Sequence, residues 1–351
     1  MQKIRPLPRH IIVLRLSAMG DVAMLPYAVG ALKNSYPDVQ ITVATRSVFK
    51  PFFRDLDVDF LPVDVKLEYR GIRGLFLLCK VLKQTGADAF ADEHDVIRSK
   101  FMRIILGLSG MRVAKIDKGR KEKHQLLKSH DSHSRWLKHT VTRYCDTLRC
   151  FGFEFPDPQP AVKAMRPNPI TGLRNNATKI GFAPFSAHQG KTCPDSVRCR
   201  ITELLSKNFD YVFIHSGSGQ EAAFANEMER RYPNVTAVYG KIDGLGEEMD
   251  LISNLDCMIS MDSLTMHLSS LTATPVVSIW GSTHPSLGFS GYGCDPDGIV
   301  QKEMECRPCS VYGNKECRFG TYDCLASISP EEVIERVKLV SANSKRTKGS
   351  I

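Results

Sequence analysis

The sequence has no long apolar run. Of its 351 residues 42% are hydrophobic and 24% are charged, but no apolar stretch approaches the roughly 20 residues that a membrane-spanning helix needs. The basic N-terminus MQKIRPLPRHIIVLRLS also lacks the longer apolar region of a secretory signal, so we interpret IIVLRL as a first strand. These absences argue against a membrane-spanning chain and predict a cytoplasmic protein.

The sequence also lacks the even set of cysteines that a disulfide framework requires. Eleven cysteines are scattered along the chain, and this odd number is typical of reduced thiols in the cytoplasm. A C-x-x-C pair, Cys306 and Cys309, is followed within one short stretch by Cys317 and Cys324. This spacing is compatible with a zinc-stapled loop and equally with a set of free thiols.

Acidic residues are outnumbered, 38 against 47 basic ones, which gives a net charge of +9. This balance favours an anionic partner such as nucleic acid, a membrane surface or a phosphorylated substrate. No helix-turn-helix or RNP signature is present, so we predict no nucleic-acid partner. The basic residues concentrate between 98 and 143, where a solvated helix face is the alternative to an anion-binding surface. The candidates for such an anion-binding surface are Arg98, Arg103, Lys118, Arg120, Lys121 and Lys123.

No repeat of fixed period occurs, and short β-branched runs instead alternate with helical stretches. This alternation predicts parallel, doubly wound sheets with right-handed crossovers. Prolines and small polar residues in FEFPDPQPAVKAMRPNPITGLRNNA interrupt the pattern, which restarts at KIGFAPF. We therefore predict two α/β domains, 1–160 and 179–340, with a linker at 161–178 and a disordered tail at 341–351.

A turn rich in small residues follows the first strand. In RLSAMGDVAML, Ser17, Ala18 and Gly20 precede Asp21 at the start of a helix. Ligands of parallel sheets meet the carboxyl ends of the strands, where small residues let the backbone approach closely. Asp21 is therefore a candidate site residue, and the alternative is a carboxylate that only complements the helix dipole.

Three stretches of the second half carry further candidates. In PFSAHQGKTCP, Lys191 lies in a loop suited to a phosphate, although a surface lysine has the same pattern. GSGQEA has the spacing of a dinucleotide-binding turn, but Glu221 there repels phosphate and suits ribose hydroxyls. In MDSLTMHL, Asp262 ends a strand, and His267 lies on the same helix face as Ser263. A helix N-cap with an unrelated histidine is the alternative.

Five stretches in register resemble glycosyltransferase family 9, the ADP-heptose:lipopolysaccharide heptosyltransferases. They are LRLSAMGDVAMLPYAVGALKNSYPD, GKTCP, GSGQE, MDSLTMHLSSLTATPVVSIWGSTHP and the tail CRPCSVYGNKECRFGTYDCLASISPEEVIERV. The resemblance implies a GT-B fold, with two Rossmann-like domains facing a central cleft. The first domain is expected to bind the acceptor, and the second to bind the nucleotide sugar.

The implied reaction is inverting, metal-independent transfer of a heptose or related sugar from an ADP-sugar, without a cofactor. The implied acceptor is a lipopolysaccharide core or a similar phosphorylated, lipid-linked cell-envelope glycan. We expect the enzyme in the cytoplasm, with peripheral contact at the anionic inner face of the cytoplasmic membrane.

Roles also follow from the resemblance. Asp21 matches the general base, and Asp92, Glu93 and Asp95 of DEHD are next in line if Asp21 is only a helix cap. The residues matching the donor site are Ser186, Lys191, Glu221, Asp262, Ser263, His267 and Thr283.

Two positions depart from the family pattern. Leu264 stands where the family usually has glycine, and Cys193 stands where tryptophan is common. Either change could alter the choice of donor or reduce activity.

Two other functions stay open on the sequence alone. A NAD-dependent oxidoreductase fits GSGQEA, although no hydride-transfer constellation accompanies it. A non-catalytic, basic nucleic-acid-binding protein has only the charge in its favour.

Overall fold

A computed structural model describes residues 6–129, 135–164 and 166–348 of the chain. Residues 1–5, 130–134, 165 and 349–351, which fall within the predicted domains, linker and tail, lie outside the described residues. Two units are separated by their internal contacts, Met1–Lys118 with Lys138–Gln159 and Gly119–Leu137 with Pro160–Ile351. No helix among the described residues is both long and apolar enough to cross a membrane.

The first unit contains one parallel sheet, with strand order β3-β2-β1-β4-β5. In chain order, the elements up to residue 149 are β1 (His10–Leu14), α1 (Met19–Ser35), β2 (Gln40–Thr45), a 3-10 helix (Ser47–Phe53), β3 (Asp59–Pro62), α2 (Gly71–Gln84), β4 (Ala89–Asp92), α3 (Ile97–Leu108), β5 (Arg112–Lys115), α4 (Arg120–Ser129) and α5 (Thr140–Arg149). Helix α4 belongs to the second unit.

The central strand of this sheet is β1. Its apolar run HIIVL is buried at every position, as in strands covered on both faces. It pairs in parallel with β2 on one side and with β4 on the other. The chain order therefore reverses between β1 and β4, and the crevice at their carboxyl ends is where such sheets bind ligands.

The second unit repeats this plan, with strand order β11-β10-β9-β6-β7-β8. Its further elements are β6 (Lys179–Ala183), a 3-10 helix (Gln189–Lys191), α6 (Asp195–Asn208), β7 (Tyr211–Ile214), α7 (Gln220–Arg231), β8 (Val235–Ala237), α8 (Gly244–Ser253), β9 (Cys257–Met261), α9 (Leu264–Leu271), β10 (Val276–Trp280), two 3-10 helices (Pro285–Leu287 and Pro296–Gly298), β11 (Ile299–Gln301), α10 (Asp323–Ala326) and α11 (Pro330–Lys348). Here the order reverses between β6 and β9, which pair in parallel. The predicted α/β class with two doubly wound parallel sheets is confirmed.

Helix α4 shows why the units are not contiguous in sequence. Its Leu126 forms a small buried cluster with Leu137 and Leu287, both of the second unit. The Leu137 amide donates a hydrogen bond to the Ser286 carbonyl at 2.9 Å. The basic sequence of α4 is thus tied to the second unit by the apolar residues within and after it.

The C-terminal helix α11 continues to Lys348. It therefore extends through 341–348, most of the segment for which the sequence predicts a disordered tail. The roles of the two units in binding acceptor and donor stay predictions.

Candidate active site

In the first unit, Asp21 lies just beyond the carboxyl end of β1, at the point where strand order reverses. Its carboxylate is paired with the Arg15 guanidinium at 2.5 Å, and its side chain is 34% exposed. The same carboxylate oxygen lies 3.4 Å from the amide of Ala18, the residue before α1. Asp21 thus contacts the helix start weakly and is held mainly by Arg15.

Arg15 is a further candidate site residue, which the sequence did not single out. Its side chain is 5% exposed, and it donates a hydrogen bond to the Glu93 backbone carbonyl. Its guanidinium lies 5.5 Å from the ring centre of Tyr144, whose hydroxyl donates to the Asp21 carbonyl at 3.0 Å. These contacts fix the guanidinium, which in turn favours the ionised Asp21 carboxylate. A charged residue directly after the apolar run IIVL was the signal in the sequence.

The other carboxylates of this edge are poorly placed to act as a base. Asp92 is buried, pairs with Arg103 at 2.6 Å and accepts the His94 amide at 3.0 Å. Burial raises the pKa of Glu93 well above its usual range, which disfavours the ionised form that a base needs. Asp95 is 12% exposed and lies 3.6 Å from Arg103. Asp21 is the more exposed acid.

His94 follows β4 at this same edge and is a second residue that the analysis passed over. Its Nε2 lies 3.2 Å from the Ser17 hydroxyl, in the small-residue turn before Asp21. Burial, with the positive charges of Arg15 and Lys118, lowers the pKa of His94 to about 4. The imidazole is therefore neutral at neutral pH.

In the second unit, three predicted residues come together where β6 and β9 end. The Lys191 amine lies 3.0 Å from the Asp262 carboxylate, and both side chains are largely buried. The Thr283 hydroxyl donates to the same carboxylate oxygen at 2.8 Å. Asp262 thus fixes a lysine and a hydroxyl at the strand-order reversal of this sheet.

Ser263 and His267 lie on the adjacent helix. Ser263 occupies the N-cap position of α9 but makes no side-chain cap, and its hydroxyl lies 3.2 Å from that of Ser260. His267 is buried one turn further along. Because Ser263 makes no side-chain cap, the start of α9 retains positive dipole character near Asp262.

Ser186 lies in the loop after β6. Its amide donates a hydrogen bond to the Thr192 hydroxyl at 3.2 Å.

The Glu221 side chain forms a hydrogen bond within the GSGQEA turn. Its carboxylate accepts the Gly217 amide at 2.7 Å, and Gly219 has φ 67°, a conformation that favours glycine. The Glu221 carboxylate thus takes up a backbone amide that would otherwise be available to the pyrophosphate of a dinucleotide. The turn therefore lacks the phosphate-binding geometry that its sequence pattern predicts.

The cysteine-containing tail forms the support of the GSTHP turn. Buried Arg307 donates to the backbone carbonyls of Gly281 at 2.5 Å and Thr283 at 2.9 Å. The Cys309 amide donates to the Ser282 carbonyl at 3.0 Å. Arg307 is the third residue that the analysis did not single out, and it orients the backbone that carries Thr283.

Comparison with known proteins decides the family. The sequence model described as glycosyltransferase family 9 (heptosyltransferase) matches residues 75–320. The chain belongs to glycosyltransferase family 9. It is a glycosyltransferase, which decides against the oxidoreductase and the non-catalytic alternative.

Relatives in this family cover nearly the whole chain. Lipooligosaccharide heptosyltransferase 2 of Campylobacter jejuni is 24% identical over 334 residues, 93% of this chain and 96% of the relative. A family 9 glycosyltransferase structure from Veillonella parvula has a TM-score of 0.73 at 15% identity, covering 95% of this chain and 98% of that one. The structure of E. coli ADP-heptose lps heptosyltransferase II has a TM-score of 0.67 at 16% identity, covering 96% and 99%. The GT-B fold class is thereby shown.

The two departures from the family 9 pattern differ in their surroundings. Cys193 is 1% exposed and packs within the apolar core of the second unit. Burial raises the pKa of its thiol to about 12, so it behaves as a small apolar residue. Leu264 is half-buried and is the first residue of α9. Glycine is therefore replaced by a bulky side chain at a helix start beside Asp262.

The four tail cysteines of this family 9 chain are free. In residues 6–129, 135–164 and 166–348, no group of three or more His, Cys, Asp or Glu side chains is arranged to hold a metal ion. Burial raises the pKa of Cys324 to about 11. The tail contacts the GSTHP turn through Arg307, the Cys309 amide and the Cys309 thiol, which lies 3.7 Å from the Ser282 carbonyl.

The six basic candidates do not form one set. Arg98, Arg103 and Lys118 lie in the first unit, whereas the three from α4 lie in the second. Arg103 faces inward to Asp92. Lys123, on α4, is buried with its amine 5.3 Å from the ring centre of Phe289. Arg103 and Lys123 thus have structural contacts of their own.

Proposed function

We propose that this enzyme transfers a heptose, or a closely related sugar, from an ADP-sugar to a lipopolysaccharide or lipooligosaccharide core. The observation that best supports this proposal is the cluster of Lys191, Asp262 and Thr283. It lies at the sheet edge where parallel α/β sheets bind ligands, in a chain of family 9. Its relatives support the choice of sugar and nucleotide, since one is a lipooligosaccharide heptosyltransferase and another is an ADP-heptose lps heptosyltransferase.

The donor site must stabilise the negative charge of the departing diphosphate. An ammonium offers three donors, and Asp262 takes one of those of Lys191, so others are available to phosphate oxygens. The start of α9 adds partial positive charge beside them. Because these groups supply the positive charge needed to stabilise a leaving diphosphate, we propose that transfer is metal-independent.

The acceptor hydroxyl needs a base as its oxygen bonds to the anomeric carbon. Asp21 is partly exposed and is held in place by its ion pair with Arg15. We propose that it receives the acceptor proton while the nucleotide leaves from the opposite face, which inverts the anomeric configuration.

Glu221 serves the nucleoside in this proposal. Carboxylates accept hydrogen bonds from vicinal hydroxyls, and this one is fixed by the Gly217 amide. The donor domain is then the second unit, and the acceptor domain is the first.

The acceptor is proposed to be phosphorylated and lipid-linked. Arg98 and Lys118 of the first unit are the cations proposed to meet its phosphates. Arg120 and Lys121, also candidates, lie on α4 of the second unit. The enzyme then works in the cytoplasm, in peripheral contact with the inner face of the cytoplasmic membrane.

The test is a transfer assay with purified protein, a deacylated heptose-deficient core and ADP-heptose, UDP-glucose or GDP-mannose as donor. We expect ADP release and a new glycosidic bond of inverted configuration by NMR with ADP-heptose alone, unchanged by a chelator. Thermal shift with ADP, UDP, GDP and NAD is the companion measurement, and ADP should stabilise most. No transfer, together with preferential stabilisation by another nucleotide, would reject this donor.

A further inference from the structure

The first unit carries an apolar surface that the proposed chemistry does not use. On α2, Ile72 is 67% exposed, Phe76 50% and Leu77 47%. On α3, Ile104 is 52% and Leu108 82% exposed. Scattered exposed apolar residues are ordinary, but five on two helices are not. We call these residues, with the lysines of the same helices, the α2–α3 face.

The two helices are neighbours, so their exposed residues form one surface. The rings of Phe76 and Phe101 meet edge to face with centres 5.1 Å apart. A cavity of about 390 Å³ opens on the same helices and is lined by Phe76, Lys80 and Lys83 of α2 and by Ile105 of α3, among others. It lies away from the strand-order reversal and from Asp21, so it is not part of the site already described.

Charge on the α2–α3 face has one sign. The sequences GIRGLFLLCKVLKQ of α2 and IRSKFMRIILGL of α3 contain three basic residues each and no acidic residue. Lys80, Lys83 and Lys100 are exposed, and none of them forms an ion pair within the part of the chain that the structure describes. Cations around exposed aromatic and branched side chains are typical of a surface that lies on anionic lipid.

We propose that the α2–α3 face is the surface by which this protein docks on an anionic lipid bilayer. The apolar side chains enter the boundary between headgroups and acyl chains, and the lysines contact lipid phosphates. This proposal rests on the membrane contact in the proposed function, and it is independent of which sugar is transferred.

The position of the face on the first unit fits a lipid-linked acceptor. Helix α3 begins at Ile97, five residues after β4 ends at Asp92, so its start lies at the sheet edge that carries Asp21. Ile97 is 89% exposed there. Ile97 thus extends the exposed apolar surface of α3 toward the edge where the acceptor hydroxyl is expected.

The experiment is flotation of the full chain with vesicles of phosphatidylcholine containing about 30% phosphatidylglycerol, the anionic surface that such a face requires. We expect binding that weakens at high salt and is absent with pure phosphatidylcholine. Lys80→Glu with Lys83→Glu should lower partitioning at least about tenfold, since each cation near the surface contributes substantially. Phe76→Ser with Ile104→Ser should lower it similarly and leave residual binding that is salt-sensitive.

The matched control is Val48→Ser with Lys50→Glu, an exposed apolar residue and a lysine on the 3-10 helix Ser47–Phe53 of the same unit. It should bind vesicles as the wild type does. The lysine variant changes exposed residues alone, so it tests the face even if the apolar variant fails to fold. Transfer to a deacylated core, assayed without vesicles, should be unchanged in the lysine variant.

Equal vesicle binding by the lysine variant, the control and the wild type would overturn the proposal. So would light scattering that shows a dimer lost in the variants without vesicle binding, because the occupant would then be a second copy of the chain. If the variants lose vesicle binding but the wild type transfers no heptose, the docking surface stands and the proposed function is rejected.

Discussion

Arg15 and Asp21 form an ion pair of 2.5 Å in which the arginine is nearly buried and the aspartate is a third exposed. The buried partner is fixed by a backbone carbonyl and an aromatic ring. Because only Asp21 reaches solvent, the pair presents a single ionised carboxylate in a set direction. A proton acceptor that is already oriented needs little rearrangement during transfer.

Asp21→Asn should abolish most transfer while the fold persists. Loss of a positioned base lowers turnover by roughly 10²- to 10⁴-fold. The buried guanidinium also loses its charged partner, so we expect the free energy of unfolding to fall by about 1–2 kcal/mol. Initial rates at saturating donor and urea unfolding measure the two effects.

A matched control for Asp21 is Asp64→Asn. The Asp64 carboxylate accepts the amides of Lys66 at 2.7 Å and Leu67 at 3.0 Å, a purely local role in the same unit. This variant should lose some stability and no transfer. Near-normal turnover by Asp21→Asn would show that Asp21 is only a helix cap.

Lys191→Gln should weaken every ligand that carries the diphosphate. Charge-assisted hydrogen bonds contribute about 1.5–3 kcal/mol, so affinity for both ADP and inorganic pyrophosphate should fall about 10- to 100-fold. Calorimetry with the two ligands makes the measurement. Lys207→Gln is the control, since the exposed Lys207 amine pairs with half-buried Glu203 at 2.6 Å on α6. Unchanged pyrophosphate affinity in Lys191→Gln would remove Lys191 from the donor site.

Glu221→Ala should distinguish ribose binding from phosphate binding. We expect ADP affinity to fall about tenfold, as for the loss of a charged hydrogen bond, and pyrophosphate affinity to stay unchanged. Glu229→Ala on the same helix α7 is the control, because its carboxylate pairs with Lys241 instead. If both ligands weaken equally, Glu221 supports the turn through Gly217 and does not contact ribose.

Arg307→Met should show that the tail supports the donor turn. The substitution keeps the apolar stem and leaves the carbonyls of Gly281 and Thr283 without their donors. We expect a loss of about 2–4 kcal/mol in stability, from two buried acceptors left unsatisfied, and weaker ADP binding. Arg318→Met, an exposed tail residue over the Phe319 ring, is the control. Normal ADP affinity in a destabilised Arg307→Met would confine its role to folding.

The fold class followed from sequence because the central strands are short, buried, mostly apolar runs and most crossovers are α-helical. Lys191 and Asp262 were each singled out from the sequence, but their ion pair was not foreseeable. The two residues lie 71 positions apart and meet because β6 and β9 are neighbours. Arg15 was overlooked because it looked like the end of a strand. The attachment of α4 to the second unit depends on Leu126 meeting Leu287, a contact that no local pattern reports.

His94 should remain neutral far below the usual histidine pKa of 6.5. Its burial, with the charges of Arg15, Lys118 and Arg98 outweighing Asp21, lowers its pKa to about 4 in the folded chain. Between these two values the unfolded chain binds the proton and the folded chain does not. Stability from the neutral ring is therefore complete above pH 6.5 and is lost as the pH falls toward 4, to the extent of about 2–3 kcal/mol.

Ring NMR of histidine-labelled protein measures the titration directly, and urea unfolding at pH 7.5 and 5.0 measures the linkage. The raised pKa of Glu93 changes stability with pH in the opposite direction. Because Glu93 is present in both the wild type and His94→Gln, the difference between their pH dependences of stability isolates the contribution of His94. His94→Gln should flatten the pH dependence, whereas His124→Gln, at an exposed position on α4, should retain it. A His94 signal that titrates near 6.5 would contradict the buried imidazole. The ring would then be open to solvent, and protonated His94 would compete with Arg15 for the Asp21 carboxylate.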